Sequence, residues 1–231
     1  MKTLVRKLLN KIGFEIIRVR QQPPAKANPI LLWDEDAQFQ SIMAKVSGYT
    51  LIGNTRCFML YQLARHAVHI PGEVAEVGVY KGGSARLLSK VFETSGKSLH
   101  LFDTYGGMPK TDPDKDCVKT GDFGDTSLPR VKCYLSDCRN LFYYEGIFPE
   151  TANSIGDKTF CFVHVDADIY RSVLDSCEFF YPRLERGGVL IFDDYGYLTC
   201  PGAKRAVDEF FCRKPEAPCY VPTGQSFVMK V

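Results

Sequence analysis

Neither a strongly basic face nor a surplus of charge of one sign stands out in this 231-residue chain: charged residues make up 24%, and the formal net charge is +2. Proteins that hold nucleic acid are usually far more basic on one side, so no nucleic-acid partner is expected. The nine cysteines are odd in number and scattered, and none form a C-x-x-C pair. Zinc-binding and dithiol redox spacings are therefore missing. Several thiols, Cys161 and Cys177 among them, sit inside apolar runs as small hydrophobes. That usage suits a reducing, cytoplasmic setting better than a disulfide-stapled one. The turn near 76–88 is neither a G-x-G-x-x-G fingerprint nor a full G-x-x-x-x-G-K-[ST] phosphate loop, and internal repeats and low-complexity tracts are absent.

What is present is a 45% hydrophobic chain, long enough for one domain with a sizeable core. The first twenty residues interrupt apolar positions with Lys or Arg too often for a signal-peptide core or a membrane span. Leu4, Val5, Leu8, Leu9 and Ile12 recur at helical spacing among Lys2, Arg6, Lys7 and Lys11. An amphipathic helix is expected there, packed on the domain or on a second subunit, with peripheral contact of residues 1–20 with an anionic membrane as the alternative. QQPPAKANP (21–29) reads as a linker, which makes 1–30 a helix and linker and 31–231 the main domain.

Two helices are expected near 34–46 and 54–69, the second capped by Asn54 or Thr55. Short apolar runs then alternate with helix-length segments. The runs are EVAEVGV (73–79), SLHLFD (98–103), NLFYYEG (140–146), TFCFVHVD (159–166) and GVLIFDD (188–194). This alternation predicts an α/β fold with a doubly wound, mostly parallel sheet. The tail CYVPTGQSFVMKV predicts an antiparallel hairpin at its end. Residues 105–126 are long and polar for a connection. A lid over the active face is expected from their place after a strand end, with a disordered insert as the alternative.

Three features carry chemistry. EVGVYKGGS places Gly78, Tyr80, Gly82 and Gly83 in a strand-to-helix turn, with Ser84 as a helix cap. A purely structural turn would explain these glycines equally well. The next apolar run ends in Asp103, where doubly wound folds hold a ribose diol. Turn and acid together suit a nucleoside ligand without a demanding phosphate cradle. S-Adenosyl-L-methionine is such a ligand, with Glu76 facing its amino group or orienting the turn. Third, VLIFDD and FVHVD each end in carboxylates. Adjacent like charges disfavour one another's ionisation, so Asp166, Asp193 and Asp194 are expected to converge on Mg²⁺ or another divalent cation. A bound cation would acidify an acceptor hydroxyl, and Asp166 is the group placed to take its proton. Asp168 is read as a turn or helix cap. His100 and His164 are read as core residues, His164 being the better candidate for a base.

EVAEVGVYKGGSARLL, FDTYGGMP, GIFPETA, FVHVDADIYRSVLDSCEFFYPRLERGGVLIFDDYG and GAKRAVDEFF together resemble the TylF-type macrocin O-methyltransferase family. The resemblance spans about residues 48–231. It implies a class I methyltransferase fold that uses S-adenosylmethionine and Mg²⁺ to methylate sugar hydroxyls on natural products. By position it makes Asp166, Asp193 and Asp194 metal ligands, assigns Glu76 through Ser84 and Asp103 to the cofactor, and gives Asp166 a part in deprotonation. A saccharide or glycosylated acceptor and a homo-oligomer are expected. Two competing readings stay open: a glycosyltransferase using VDAD as a D-x-D element, and a non-catalytic relative that keeps the fold.

Overall fold

The computed structural model describes residues 31–231, and the account here concerns the unit Trp33–Val231. The amphipathic helix and linker expected over 1–30 lie outside the described residues. After a single helical turn at Leu32–Glu35 come α1 (Ala37–Val46) and α2 (Asn54–Ala67). The Asp36 carboxylate caps α1 by accepting from the Phe39 amide at 2.9 Å. By contrast, α2 starts after Gly53 with no side-chain cap, so neither Asn54 nor Thr55 serves as one.

Strands and helices then alternate as expected: β1 (Glu73–Val77), α3 (Gly83–Phe92), β2 (Leu99–Asp103), α4 (Leu128–Tyr134), β3 (Leu141–Glu145) and β4 (Phe160–Val165). They continue with α5 (Tyr170–Phe180), β5 (Leu184–Phe192), α6 (Pro201–Phe211) and the hairpin β6 (Cys219–Tyr220) and β7 (Ser226–Met229). The seven strands form one sheet in the order β3-β2-β1-β4-β5-β7-β6. The first five are parallel, and β7 lies antiparallel between β5 and β6. Four expected strands are shorter at the functional end: β1 stops at Val77, β3 at Glu145, β4 at Val165 and β5 at Phe192, so Gly78, Asp166, Asp193 and Asp194 belong to the loops that follow.

Side-chain alternation sorts the sheet into two cores. Val74, Leu101, Phe162 and Ile191 pack with α1, α2 and α3 on one face. Val77, Phe102, Val163 and Phe192 pack with α5 and α6 on the other. The alternation in β4 breaks once, at the irregular register between Phe160 and Phe162, which puts Cys161 and Phe162 on the same side. Both α5 and α6 bury a narrow stripe, Val173, Cys177 and Phe180 on one and Ala203, Ala206 and Val207 on the other, as helices covering a sheet must. Order among the described residues is thus set by a sheet covered on both sides, whose strand ends open on one crevice.

That crevice depends on one glycine. Gly78 has φ +90, and a Cβ there would overlap the carbonyl oxygen of Asp166 at the end of β4. Left-handed backbone and close approach each demand glycine. Gly78→Ala is expected to lower stability by about 3 kcal/mol, combining backbone strain with overpacking. Urea unfolding checks this, and an unchanged midpoint would show that the turn can admit a side chain.

Candidate active site

The carboxyl ends of β1, β2, β4 and β5 surround a cleft of about 260 Å³. It is lined by Gly78, Tyr80, Ser84 and Asp103, from the turn after β1, the start of α3 and the end of β2, and by Asp166, Asp168 and Asp194, from the loops after β4 and β5. Gly107, Met108, Pro109 and Phe123, from the long segment 105–126, form part of its wall.

The turn after β1 is built around Asp103. One of its carboxylate oxygens accepts from the Val79 and Tyr80 amides at 2.6 and 2.9 Å, and the other accepts from the Tyr105 amide at 2.6 Å. Asp103 therefore fixes the turn's backbone while still lining the cleft, and the oxygen that accepts from Tyr105 keeps a further lone pair for a ligand. Tyr80 adopts φ 51, a left-handed value unusual for a bulky residue. Its carbonyl accepts from Thr126 Oγ1 at 2.8 Å, and its hydroxyl donates to Asp125 at 2.7 Å. Lys81 pairs with the same Asp125. Residues 105–126 are thus tied at one end to the turn. Their middle is tied elsewhere, where Asp116 accepts from the Tyr170 amide at the start of α5 at 2.8 Å.

The two glycines after Lys81 have a different task. Gly82 and Gly83 do not line the cleft. Gly82 is the left-handed residue preceding α3, and a Cβ on Gly83 would meet the Tyr49 carbonyl, which accepts from the Gly83 amide at 3.0 Å. They seat the helix against the loop that follows α1. Ser84 lies within α3 with no capping bond, but its side lines the cleft.

Asp166, Asp193 and Asp194 do converge: one oxygen from each lies within 4.8 Å of the others. Their surroundings differ. No described residue donates a hydrogen bond to the half-buried Asp166 carboxylate, whose pKa is pushed well above the carboxylate range by desolvation, then by Asp193 and Asp194. Asp194 is also pushed well up, by burial, then by Asp168 and Asp193, although one oxygen accepts from the Asp168 amide at 2.9 Å. Asp193 goes the other way. Burial raises it, but His164, Arg56 and Gln225 together pull it below its ordinary value. Arg56 donates to Asp193 Oδ2, and Gln225 donates to Oδ1 at 2.8 Å.

Glu76 and His164 sit behind this cluster, fully buried and outside the cleft. They are direct neighbours across β1 and β4, with Glu76 Oε1 and His164 Nδ1 2.8 Å apart. His164 Nε2 lies 3.8 Å from Asp193 Oδ1, too far for a hydrogen bond but close enough for strong electrostatic attraction. Burial lowers the basicity of His164, yet Asp193 and Glu76 outweigh it and push the imidazole up to about 10. Glu76 thus serves the acid cluster through His164; it does not reach the cleft where a cofactor's amino group would lie. His100 is a core residue, hydrogen-bonded to Glu73 and Tyr144.

Sequence reading did not find Arg56, the wall Tyr49–Ile52, or Tyr197 and Cys200, all of which line the cleft. SGYTLIGN carries no chemical signature, and Arg56 sits on an otherwise ordinary helix.

Two solved structures share this architecture. The O-methyltransferase NovP matches with a TM-score of 0.69 at 21% identity, covering 79% of this chain and 82% of that one. The calicheamicin methyltransferase CalS11 matches with a TM-score of 0.68 at 16% identity, covering 88% and 93%. The sheet and its crevice are those of a class I S-adenosylmethionine-dependent methyltransferase. The family model "Macrocin-O-methyltransferase (TylF)" matches residues 16–216, and the chain belongs to that family. It is a S-adenosylmethionine-dependent O-methyltransferase, which removes the glycosyltransferase and non-catalytic readings. Curated relatives include demethyldecarbamoylnovobiocin O-methyltransferase of Streptomyces niveus, 27% identical over 71% of this chain and 68% of that protein. Mycinamicin III 3''-O-methyltransferase of Micromonospora griseorubida is 28% identical over 70% of each. The 8-demethyl-8-(2,3-dimethoxy-alpha-L-rhamnosyl)-tetracenomycin-C 4'-O-methyltransferase of Streptomyces olivaceus is 26% identical over 58% of this chain and 57% of that protein.

The raised acids carry a stability consequence. A carboxyl that holds its proton more tightly folded than unfolded makes the native state bind the extra proton, so stability falls as pH rises between the two pKa values. At neutral pH Asp194 therefore opposes folding. Asp194→Asn removes the charge and keeps an oxygen for the Asp168 amide. In EDTA at pH 7.5 its melting temperature is expected to exceed wild type by a few degrees, and scanning calorimetry showing a decrease would refute the repulsion.

Proposed function

We propose that the chain methylates a hydroxyl of a sugar or of a glycosylated natural product or polysaccharide, with a divalent cation held by Asp166, Asp193 and Asp194. The observation that carries this reading is the lack of any donor to Asp166 beside two further carboxylates, in a cleft that the Asp103 turn also lines. Three hard oxygen donors, two of them short of positive charge, suit a cation such as Mg²⁺. The acceptor class has support from one relative, whose name specifies a rhamnosyl group methylated at the 4'-position.

When bound, S-adenosylmethionine supplies an electrophilic methyl group, and the cation lowers the pKa of the acceptor hydroxyl. The chain's own residues bind, align and move the proton. Asp103, held by three amides, offers its remaining lone pair to the ribose. Gly78 lets the backbone of the turn lie against the end of β4, which sets the spacing between the cofactor end and the acid end. Methyl transfer needs reacting atoms about 3–3.5 Å apart and in line, so this spacing is a catalytic quantity. Asp166 takes the hydroxyl proton. Its half-exposed face lets the proton leave through the cleft. The segment 105–126 acts as the lid over the cleft, with Met108 and Phe123 in its wall.

Purified protein would be incubated with labelled S-adenosylmethionine and a panel of deoxyhexosides, with Mg²⁺ and then with EDTA. Labelled sugar is expected only with Mg²⁺, and Asp166→Asn is expected to lose at least about a hundredfold in kcat, the usual scale of general-base loss. Equal turnover in EDTA would remove the cation from the reading; methylation of non-sugar hydroxyls alone would remove the acceptor class. The raised pKa values add a pH dependence. Below them, a cation must displace protons from Asp166 and Asp194, so apparent Mg²⁺ affinity is expected to climb with pH and then level off. Calorimetric titration in buffers of different ionisation enthalpy reads the released protons, and a flat pH profile would contradict it.

A further inference from the structure

Arg56 is the positive partner that the sequence did not show for Asp193. Its side chain is only 16% exposed and reaches the acid cluster from α2, 137 residues away along the chain. One guanidinium nitrogen donates to Asp193 Oδ2, while the other lies 3.3 Å from the Leu51 carbonyl, in the wall Tyr49–Ile52. The guanidinium also rests 4.8 Å over the Tyr197 ring. Asp193 Oδ1 is occupied by Gln225, which additionally reaches the Arg56 carbonyl at 3.4 Å. Both oxygens of Asp193 are therefore engaged, whereas no described residue donates to Asp166.

A divalent ion that takes an oxygen from each of the three carboxylates must compete for one already held. Gln225 is a neutral donor that is fully buried and locked to the backbone of α2. Arg56 is a charge, sits at the edge of the cleft, and is repelled by an incoming cation. Of the two, Arg56 is the one that yields.

We propose that Arg56 is an internal counter-ion which a divalent cation displaces from Asp193 Oδ2, so that Arg56 sets the metal affinity of the site and couples metal occupancy to the wall Tyr49–Ile52. The inference rests on the cation reading given above. Arg56 acts through Asp193 and is a positioning residue. Without metal it neutralises Asp193 and holds the wall through the Leu51 carbonyl. With metal the guanidinium leaves Oδ2, the Leu51 carbonyl loses its donor, and the wall Tyr49–Ile52 loosens.

The test uses Mn²⁺ alone as the probe, with the full chain, and reads binding instead of turnover. Wild type, Arg56→Met and Arg56→Lys would be titrated by calorimetry and by the loss of the free Mn²⁺ resonance signal. Arg56→Met is expected to bind Mn²⁺ at least tenfold more tightly than wild type, because removing a positive charge raises the net negative charge of the site. Arg56→Lys keeps the charge but loses the planar fork, and is expected to fall between wild type and Arg56→Met, within about threefold of wild type. A merely structural role for Arg56 would weaken binding on removal, so the direction of the change is decisive. Amide hydrogen exchange over 49–53 supplies a second readout. Mn²⁺ is expected to speed exchange there in wild type and to change nothing in Arg56→Met, where the segment is already released. Unchanged or weaker Mn²⁺ binding by folded Arg56→Met would overturn the proposal and leave the cation reading standing. Failure of all three proteins to bind Mn²⁺ would overturn both. If Arg56→Met does not fold, Arg56→Gln carries the same comparison with a polar side chain at the same place.

Discussion

Mutual repulsion among Asp166, Asp193 and Asp194 is the constraint to which the rest of the structure answers. Like charges a few ångströms apart in a poorly solvated place disfavour each other's ionisation, and here two of the three respond by holding their protons more tightly. A fold keeps such groups together only if the backbone beneath them cannot move. The ends of β4 and β5 supply that rigidity: they pair in register up to Val165 and Phe192, and the Asp193 amide donates to the Val165 carbonyl at 2.9 Å. Every apolar contact on the two faces of the sheet helps hold the acids where their charges oppose it.

The compensation lies on one face only. Glu76, His164 and Asp193 form a buried row under α2, the helix that also carries Arg56. Placing an imidazole of raised pKa between two carboxylates leaves the row with charges that largely offset one another, which is the condition under which buried charge is tolerated. The offset is incomplete. Glu76 Oε2 and His164 Nε2 are both buried without a hydrogen-bond partner among the described residues, and unpaired buried polar atoms are expensive. The row also has a geometric effect. Glu76 lies two residues before Gly78, so the strand that ends in the cofactor turn is tied by its side chains to the strands that end in the acids. The turn after β1 and the acids after β4 and β5 are held relative to one another by polar contacts as well as by the sheet ladder.

Much of this was legible in the sequence because it depends on local pattern. Short apolar runs separated by helix-length segments predict a parallel sheet, and the order of the elements followed. Acids directly after such runs point to the carboxyl ends of strands, and Asp166, Asp193 and Asp194 do meet there. What could not be read depends on contacts distant in the chain. Nothing in NTRCFMLYQL distinguishes Arg56 from a surface arginine; its meaning comes from a carboxylate on another element. Gly82 and Gly83 look like ligand-facing glycines because closeness of approach is visible in sequence while the approaching partner is not. For Gly83 that partner is the Tyr49 carbonyl. Glu76 misleads for a related reason: period-2 alternation gives its side of the sheet, here the side that turns away from the cleft toward His164. Strand ends were overextended at 78–79, 146, 166 and 193–194 because the residues of each run continue the pattern after the ladder has stopped.

A second trio, Asp168, Asp194 and Cys200, also brings one candidate donor atom from each residue within 4.8 Å of the others, and it shares Asp194 with the first. The choice between them follows from the thiol. Burial, then Asp194 and Asp168, push the pKa of Cys200 far above its ordinary value, so the sulfur keeps its proton at neutral pH and ligates poorly. That proton is already used, since Cys200 Sγ lies 3.4 Å from Asp168 Oδ1 as a donor. Asp168 itself is held at φ 56, its amide committed to Asp194. The second trio is thus a closed set of hydrogen bonds that orients Asp194, with one soft and protonated member. The first is all oxygen, with one carboxylate that receives no hydrogen bond from the described residues. A hard divalent cation prefers oxygen donors, and the trio around Asp166 is the set that offers them, with Asp168 and Cys200 behind it aiming the oxygen that Asp194 contributes.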